Sequence, residues 1–193
     1  MRKLVYLLLL FFIQIGFSQV YEAGITYNLG NVMGEKNQTF PITTSSKNWG
    51  IVLKKNMNPR IAYRFGLNLM ESGVTQLAEI SAGIDFNFKD YNLIRTNSTN
   101  KQTPYLILEA ASIFYNTRTE TKFAVVLPMG IGYKYGIGKN LAASLEAKVR
   151  AAFTDDLDNI ETNKSTLDAY YYIGASIYYT FGWPKGSKNQ IRF

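Results

Sequence analysis

An all-β fold, an eight-stranded antiparallel up-and-down transmembrane β-barrel preceded by a cleaved signal peptide, is what this chain of 193 residues predicts. Three observations carry that expectation. Eight stretches alternate an apolar or aromatic residue with a small, polar or charged one, the period of a strand with two different faces. Met1-Arg2-Lys3 and an apolar run from Leu4 to Ile13 have the form of a secretory signal. No later segment approaches the roughly 18 uninterrupted apolar residues of a membrane helix, so strands have to make any crossing.

The signal is expected to cover residues 1–18, with Gly16 and Ser18 as the small residues before a cut at Gln19. The barrel then occupies 19–181, and 182–193 form a basic periplasmic tail with Lys185, Lys188 and Arg192. The first strand, near Val20 to Leu29, sends Tyr21, Ala23, Ile25, Tyr27 and Leu29 outward and Glu22, Gly24, Thr26 and Asn28 inward. Trp49, Ile51 and Leu53 mark the outer face of the second, near Asn48 to Lys55. Asn56-Met57-Asn58-Pro59 is turn chemistry, and Ile61, Tyr63, Phe65, Leu67 and Leu69 give the third strand at once.

The fourth strand, Leu77 to Phe88, opposes Ile80, Ile84 and Phe86 to Glu79, Ser81 and Asp85. A connection of about sixteen residues, Lys89 to Pro104, is long for a periplasmic turn. The fifth strand, Tyr105 to Tyr115, is regular if Glu109 points inward. In the sixth, Lys122 to Tyr135, apolar residues alternate with Gly130, Gly132 and Lys134, and Pro128 predicts a bulge because it lacks a ladder donor. Gly136 to Asn140 turn into the seventh strand, where Leu141, Leu145 and Val149 oppose Ser144, Glu146, Lys148 and Arg150. The eighth, Tyr171 to Phe181, places Gly174, Ser176 and Thr180 between apolar neighbours. Its Tyr172, Gly174, Ile177, Tyr179 and Phe181 have the spacing of the closing-strand signal read by the barrel-assembly machinery. The connections 30–47, 71–76, 116–121 and 154–167 then face outside, and Tyr21, Tyr63, Phe86, Phe88, Tyr133, Tyr135, Tyr179 and Phe181 form a girdle at the periplasmic boundary.

Collecting the inward charges gives Glu22, Lys54, Arg64, Glu79, Asp85, Glu109, Lys134, Glu146, Lys148 and Arg150, five acids and five bases. An eight-stranded barrel is filled by its own side chains, so these groups are expected to pair as a lumen charge network. A proton or ion path through them is the functional alternative.

Composition excludes several chemistries. The chain has no cysteine, hence no disulfide framework, thiolate metal site or lipid anchor on a cysteine. It has no histidine, so a Ser–His pair is not available to activate a nucleophile. The acidic run Asp155-Asp156-Leu157-Asp158 lacks the glycine and spacing of an EF-hand and fits a solvated outer loop better than a calcium site. The Gly130-Ile131-Gly132 pattern precedes no helix and gives room to large lumen side chains rather than to a phosphate. The net charge of +7 is spread along the chain without the clustered footprint of nucleic-acid binding. No catalytic residue, cofactor or metal is expected.

Several motifs resemble one family in their order along the chain: Pro104-Tyr105-Leu106, Leu127-Pro128-Met129-Gly130-Ile131-Gly132-Tyr133-Lys134-Tyr135, Phe153-Thr154-Asp155-Asp156-Leu157-Asp158 and Ile177-Tyr178-Tyr179-Thr180-Phe181-Gly182. Upstream, Tyr21-Glu22-Ala23-Gly24 and Asn56-Met57-Asn58-Pro59-Arg60 also fit. Together they resemble the PorG-like small outer-membrane proteins of Bacteroidota, associated with the type IX secretion system. The segment Gly30 to Lys47 departs from the glycine-rich, aspartate-containing stretch expected there. The resemblance implies an eight-stranded barrel in the cell outer membrane and periplasmic secretion-ring proteins as partners. With outer-membrane lipid and the assembly machinery, these complete the expected partners of a non-enzymatic scaffold. A small pore and a soluble periplasmic ligand-binding barrel are the alternatives.

Overall fold

The structure, a computed structural model, describes residues 20–33, 46–72, 75–91, 100–116, 121–152 and 169–182. Eight strands follow one another: β1 Val20–Met33, β2 Ser46–Asn56, β3 Ile61–Ser72, β4 Thr75–Asn87, β5 Gln102–Asn116, β6 Thr121–Gly136, β7 Leu141–Ala152 and β8 Ala169–Phe181. Each pairs antiparallel with its successor, and β8 returns to β1 from Tyr21↔Phe181 to Met33↔Ala169. Closure leaves no unpaired edge, which is what permits strands to stand in a medium that offers no hydrogen bonds. The expected signal segment and nearly all of the expected tail lie outside the described residues; Gly182, at φ 109°, ends β8.

One end of the barrel carries both chain ends of the sheet and the connections β2–β3, β4–β5 and β6–β7. The β2–β3 turn is built as its asparagines suggest. Asn58 Oδ1 accepts hydrogen bonds from the backbone N–H of Arg60 (2.8 Å) and Ile61 (2.7 Å), fixing the reversal. Across the β6–β7 turn, Asn140 Nδ2 donates to the Thr180 carbonyl at 2.7 Å and ties the turn to β8.

At the opposite end the strands run further than the alternation suggests. Pairing continues to Ser72↔Thr75 in β3–β4 and to Asn116↔Thr121 in β5–β6, so the outer connections there are shorter than 71–76 and 116–121. The β5 start also moves, to Gln102, because Pro104 sits within the ladder opposite Tyr133.

Pro128 makes no bulge. The β5–β6 register is the same on both sides of it, Leu108↔Met129 and Ala111↔Val126, with the ladder merely interrupted at Glu109 and Ala110. On the β7 side the pairing Pro128↔Arg150 is kept. The missing donor therefore costs ladder bonds to β5 but no extra residue. The proline ring faces inward and is buried, so it helps to fill the lumen.

The outer wall is apolar. Leu145 (67% exposed), Ile131 (61%) and Leu69 (59%) are typical of it, an inversion of the soluble pattern. Exposed apolar surface on this scale is incompatible with a water-facing wall and fits a hydrocarbon-facing one. On β6 the outward run from Phe123 to Tyr135 rises roughly 30 Å at about 3.3 Å per residue and a 40° tilt, the thickness of a bilayer core. Rings collect at the short-turn end: Tyr21 stacks on Phe181 (5.8 Å between centroids), Phe181 on Tyr179 (6.5 Å), and Phe86 meets Phe88 edge-on (5.6 Å). Tyr63, Tyr133 and Tyr135 extend this ring around the wall.

Candidate functional site

The ten inward charges all lie in the lumen, none more than 8% exposed. β1, β2, β3, β6 and β7 send their even-numbered residues inward, whereas β4 and β5 send odd ones, which is how Glu79, Asp85 and Glu109 join the same interior. Six of them form a central cluster, and one ion pair stands towards each end of it. At its centre the Arg64 guanidinium grips Glu146 with two bonds (3.0 and 2.7 Å) and also reaches Asp85 (3.4 Å) and Glu109 (3.3 Å). Such a planar fork can serve several carboxylates at once, which an ammonium cannot do with the same directionality.

Around this centre, Lys54 pairs with Asp85 (2.6 Å), and Lys148 bridges Glu109 (2.9 Å) and Glu146 (3.4 Å). Towards the short-turn end, Lys134 pairs with Glu22 (2.8 Å), which also accepts from Asn56 Nδ2 (3.0 Å). Towards the other end, Arg150 holds Glu79 bidentately (2.7 and 2.8 Å), and Asn68 donates to the same carboxylate (2.9 Å). Every acid thus has a base, and five charges of each sign leave the interior neutral. Desolvation makes such groups costly unless paired and hydrogen-bonded; all ten are paired, and all but Lys54, whose ammonium sits against Asp85 and the Tyr178 ring, take part in a hydrogen bond.

Tyrosines outside the set of inward charges complete the network. Tyr105 and Tyr178 both donate to Glu146 Oε1, at 2.6 and 2.9 Å. Lys54 stands over the Tyr178 ring at 4.2 Å, and the Arg150 guanidinium over Tyr172 at 3.8 Å. The signal that could have found them was parity: Tyr105 shares the face of Glu109, and Tyr178 that of Ser176 and Thr180. The rings fit because glycines face them. A Cβ on Gly132 would run into the Tyr105 ring, and one on Gly24 into that of Tyr178.

Both ends of the charged layer are closed. At the long-connection end, Met70, Leu77, Ile113, Val126 and Tyr172 form an apolar layer. At the short-turn end, Tyr91 from the β4–β5 connection lies 6% exposed against Val52, Ala142 and Tyr178, with Lys134 4.9 Å from its ring centre. Burial, with the nearby Glu22 charge, pushes the Tyr91 phenol up, so it is a neutral lid. The connection's start is anchored by Tyr91 N–H to the Pro59 carbonyl (3.3 Å) and by the exposed pair Arg60–Asp90 (2.7 Å).

The five closing-strand residues divide between faces. Tyr172 and Gly174 point inward, whereas Ile177, Tyr179 and Phe181 point outward on β8, whose other edge pairs with β7. The acidic run at 155–158 lies outside the described residues. Among the described residues no cluster of three or more carboxylates, histidines or cysteines could hold a metal.

Residues 68–184 match the family described as Domain of unknown function (DUF6089). No curated protein sequence matches the chain. Among solved structures, Neisserial surface protein A (NspA) is similar with a TM-score of 0.58 and 10% identity, covering 84% of this chain and 97% of that one. The N-terminal β-barrel domain of Pseudomonas aeruginosa OprF is similar at 0.55 and 11%, covering 83% and 97%. At these identities the likeness is one of fold, that of the small eight-stranded membrane barrel.

Proposed function

For a chain that belongs to the family described as Domain of unknown function (DUF6089), we propose the role of a non-enzymatic outer-membrane barrel that serves as a scaffold. The observation that carries this reading is the filled lumen: ten paired charges closed between an apolar layer and Tyr91. Such an interior holds the wall in shape, and among the described residues its charges are paired with one another rather than facing a water-filled path. The apolar exterior argues against the soluble ligand-binding barrel, which keeps its apolar surface inside. Outer-membrane placement is supported by the signal-like N-terminus and by the fold shared with NspA and the OprF domain.

The scaffold's machine, in this proposal, is type IX secretion, a role supported by the ordered sequence motifs that resemble the PorG-like proteins. Attachment would run through the periplasmic segments, the 89–104 connection and the tail. Pull-down of the full chain from crosslinked cells is expected to recover periplasmic ring proteins, and removal of residues 182–193 or 89–104 to abolish that recovery. An empty pull-down together with normal secretion in a deletion strain would remove the secretion role. Planar-bilayer recordings are expected to be silent; steady single-channel openings would favour a pore instead.

A further inference from the structure

The chain's charge is divided by position. The lumen is neutral, so the excess must lie elsewhere. Among the described residues at the short-turn end, Lys55, Arg60, Lys89, Lys101 and Lys139 face a single acid, Asp90, which is taken by Arg60. The four lysines form no ion pair among the described residues. The sequence between strands at the other end has the opposite balance: 153–168 contains five acids and one lysine.

We infer that this short-turn rim binds the phosphate headgroups of anionic phospholipids. The placement of each lysine favours lipid. Lys55 is on the outward face of β2, between Tyr21 and Tyr63 in the two ladders. Lys89 follows the exposed Phe88. Lys101 precedes Gln102, which stands opposite Tyr135 and accepts from the Tyr133 hydroxyl at 2.8 Å. Lys139 lies between the exposed Ile137 and Leu141. Each stem therefore leaves the wall beside apolar or aromatic residues at the girdle, where an ammonium can extend to the level of lipid phosphates. The four come from β2, the β4–β5 connection and the β6–β7 turn, and so are spread around the rim at three places rather than gathered in one. A protein partner fits a contiguous patch; a shell of lipids fits a ring.

This inference rests on the membrane-barrel reading. In native mass spectrometry of the detergent-released full chain offered equal phosphatidylglycerol and phosphatidylcholine, phosphatidylglycerol should be retained about tenfold better at low ionic strength, and at about 0.5 M salt the two should approach parity. The quadruple variant Lys55→Gln/Lys89→Gln/Lys101→Gln/Lys139→Gln should lose the preference, and the corresponding quadruple arginine variant should keep it. Equal retention by the wild type, or an undiminished preference in the glutamine variant, overturns the proposal. So does capture of an acidic protein through these lysines without lipid preference. Heat-modifiable gel mobility separates the failures. A chain that is soluble without detergent fails as a membrane barrel, whereas a heat-modifiable barrel without headgroup preference fails only here.

Discussion

Replacing Arg64 by methionine should destabilise the folded barrel by about 3–5 kcal/mol, the usual cost of breaking a buried ion pair by removing one partner. Methionine keeps much of the volume but leaves Glu146, Asp85 and Glu109 without their shared cation. Lys54 and Lys148 still reach these carboxylates, so the network is weakened at its centre and carries an unbalanced negative charge. The exposed pair Arg60–Asp90 provides the contrast within the same molecule. Its side chains are 55% and 64% exposed, and Arg60→Ala should cost at most about 1 kcal/mol. Combining Arg64→Met with Glu146→Gln restores neutrality, so the double variant should lose less than the sum of the single losses, by about 0.5–3 kcal/mol. Urea unfolding in vesicles of these variants and of Glu146→Gln alone measures each loss. An Arg64→Met cost as small as that of Arg60→Ala would mean that the lumen is hydrated and its charges screened.

The outer wall gives the second large effect. Leu67→Arg places a charge near the middle of the apolar face of β3 and should cost about 2–4 kcal/mol in a bilayer, whereas Tyr63→Arg, nearer the rim, should cost roughly 0–1 kcal/mol. Both positions are 44% exposed. Exposure therefore predicts equal effects, and depth predicts unequal ones. In a water-facing barrel Leu67→Arg would be harmless, so the difference between the two positions carries the information.

How much of this was legible in the sequence follows from what a period of two encodes. Alternation assigns a face, and it placed Glu22, Arg64, Glu146 and the other charges on the inner side of seven strands without any tertiary knowledge. It carries nothing about partners across the lumen. Arg64 meets Glu146 at a separation of 82 residues, and Lys134 meets Glu22 at 112. Those distances are set by register and curvature, which no single strand contains. Residue type also misled the reading where it competed with parity. Collecting inward charges passed over Tyr105 and Tyr178, which their ladder positions turn inward, where the glycines opposite make room. Pro128 suggested a bulge because a lost donor needs relief, but two missing pairings to β5 absorb the loss while β7 keeps the strand in register. The connection after β4 looked like featureless length. Tyr91, its one large aromatic near the strand end, closes the barrel because Val52, Ala142 and Tyr178 leave an apolar seat for it.

The lumen is sealed inside a lipid-facing wall, and the absence of native cysteine makes that arrangement directly measurable. Three single-thiol variants, Ser144→Cys in the lumen, Leu67→Cys on the wall and Asn58→Cys in the turn, can be folded into vesicles with the short turns accessible and treated with a water-soluble or a lipid-soluble maleimide. Asn58→Cys should react with the water-soluble reagent, Leu67→Cys only with the lipid-soluble one, and Ser144→Cys with neither until urea unfolds the chain. Rapid labelling of Ser144→Cys by the water-soluble reagent in the folded state would contradict the sealed lumen, and the same reaction at Leu67→Cys would contradict the lipid-facing wall.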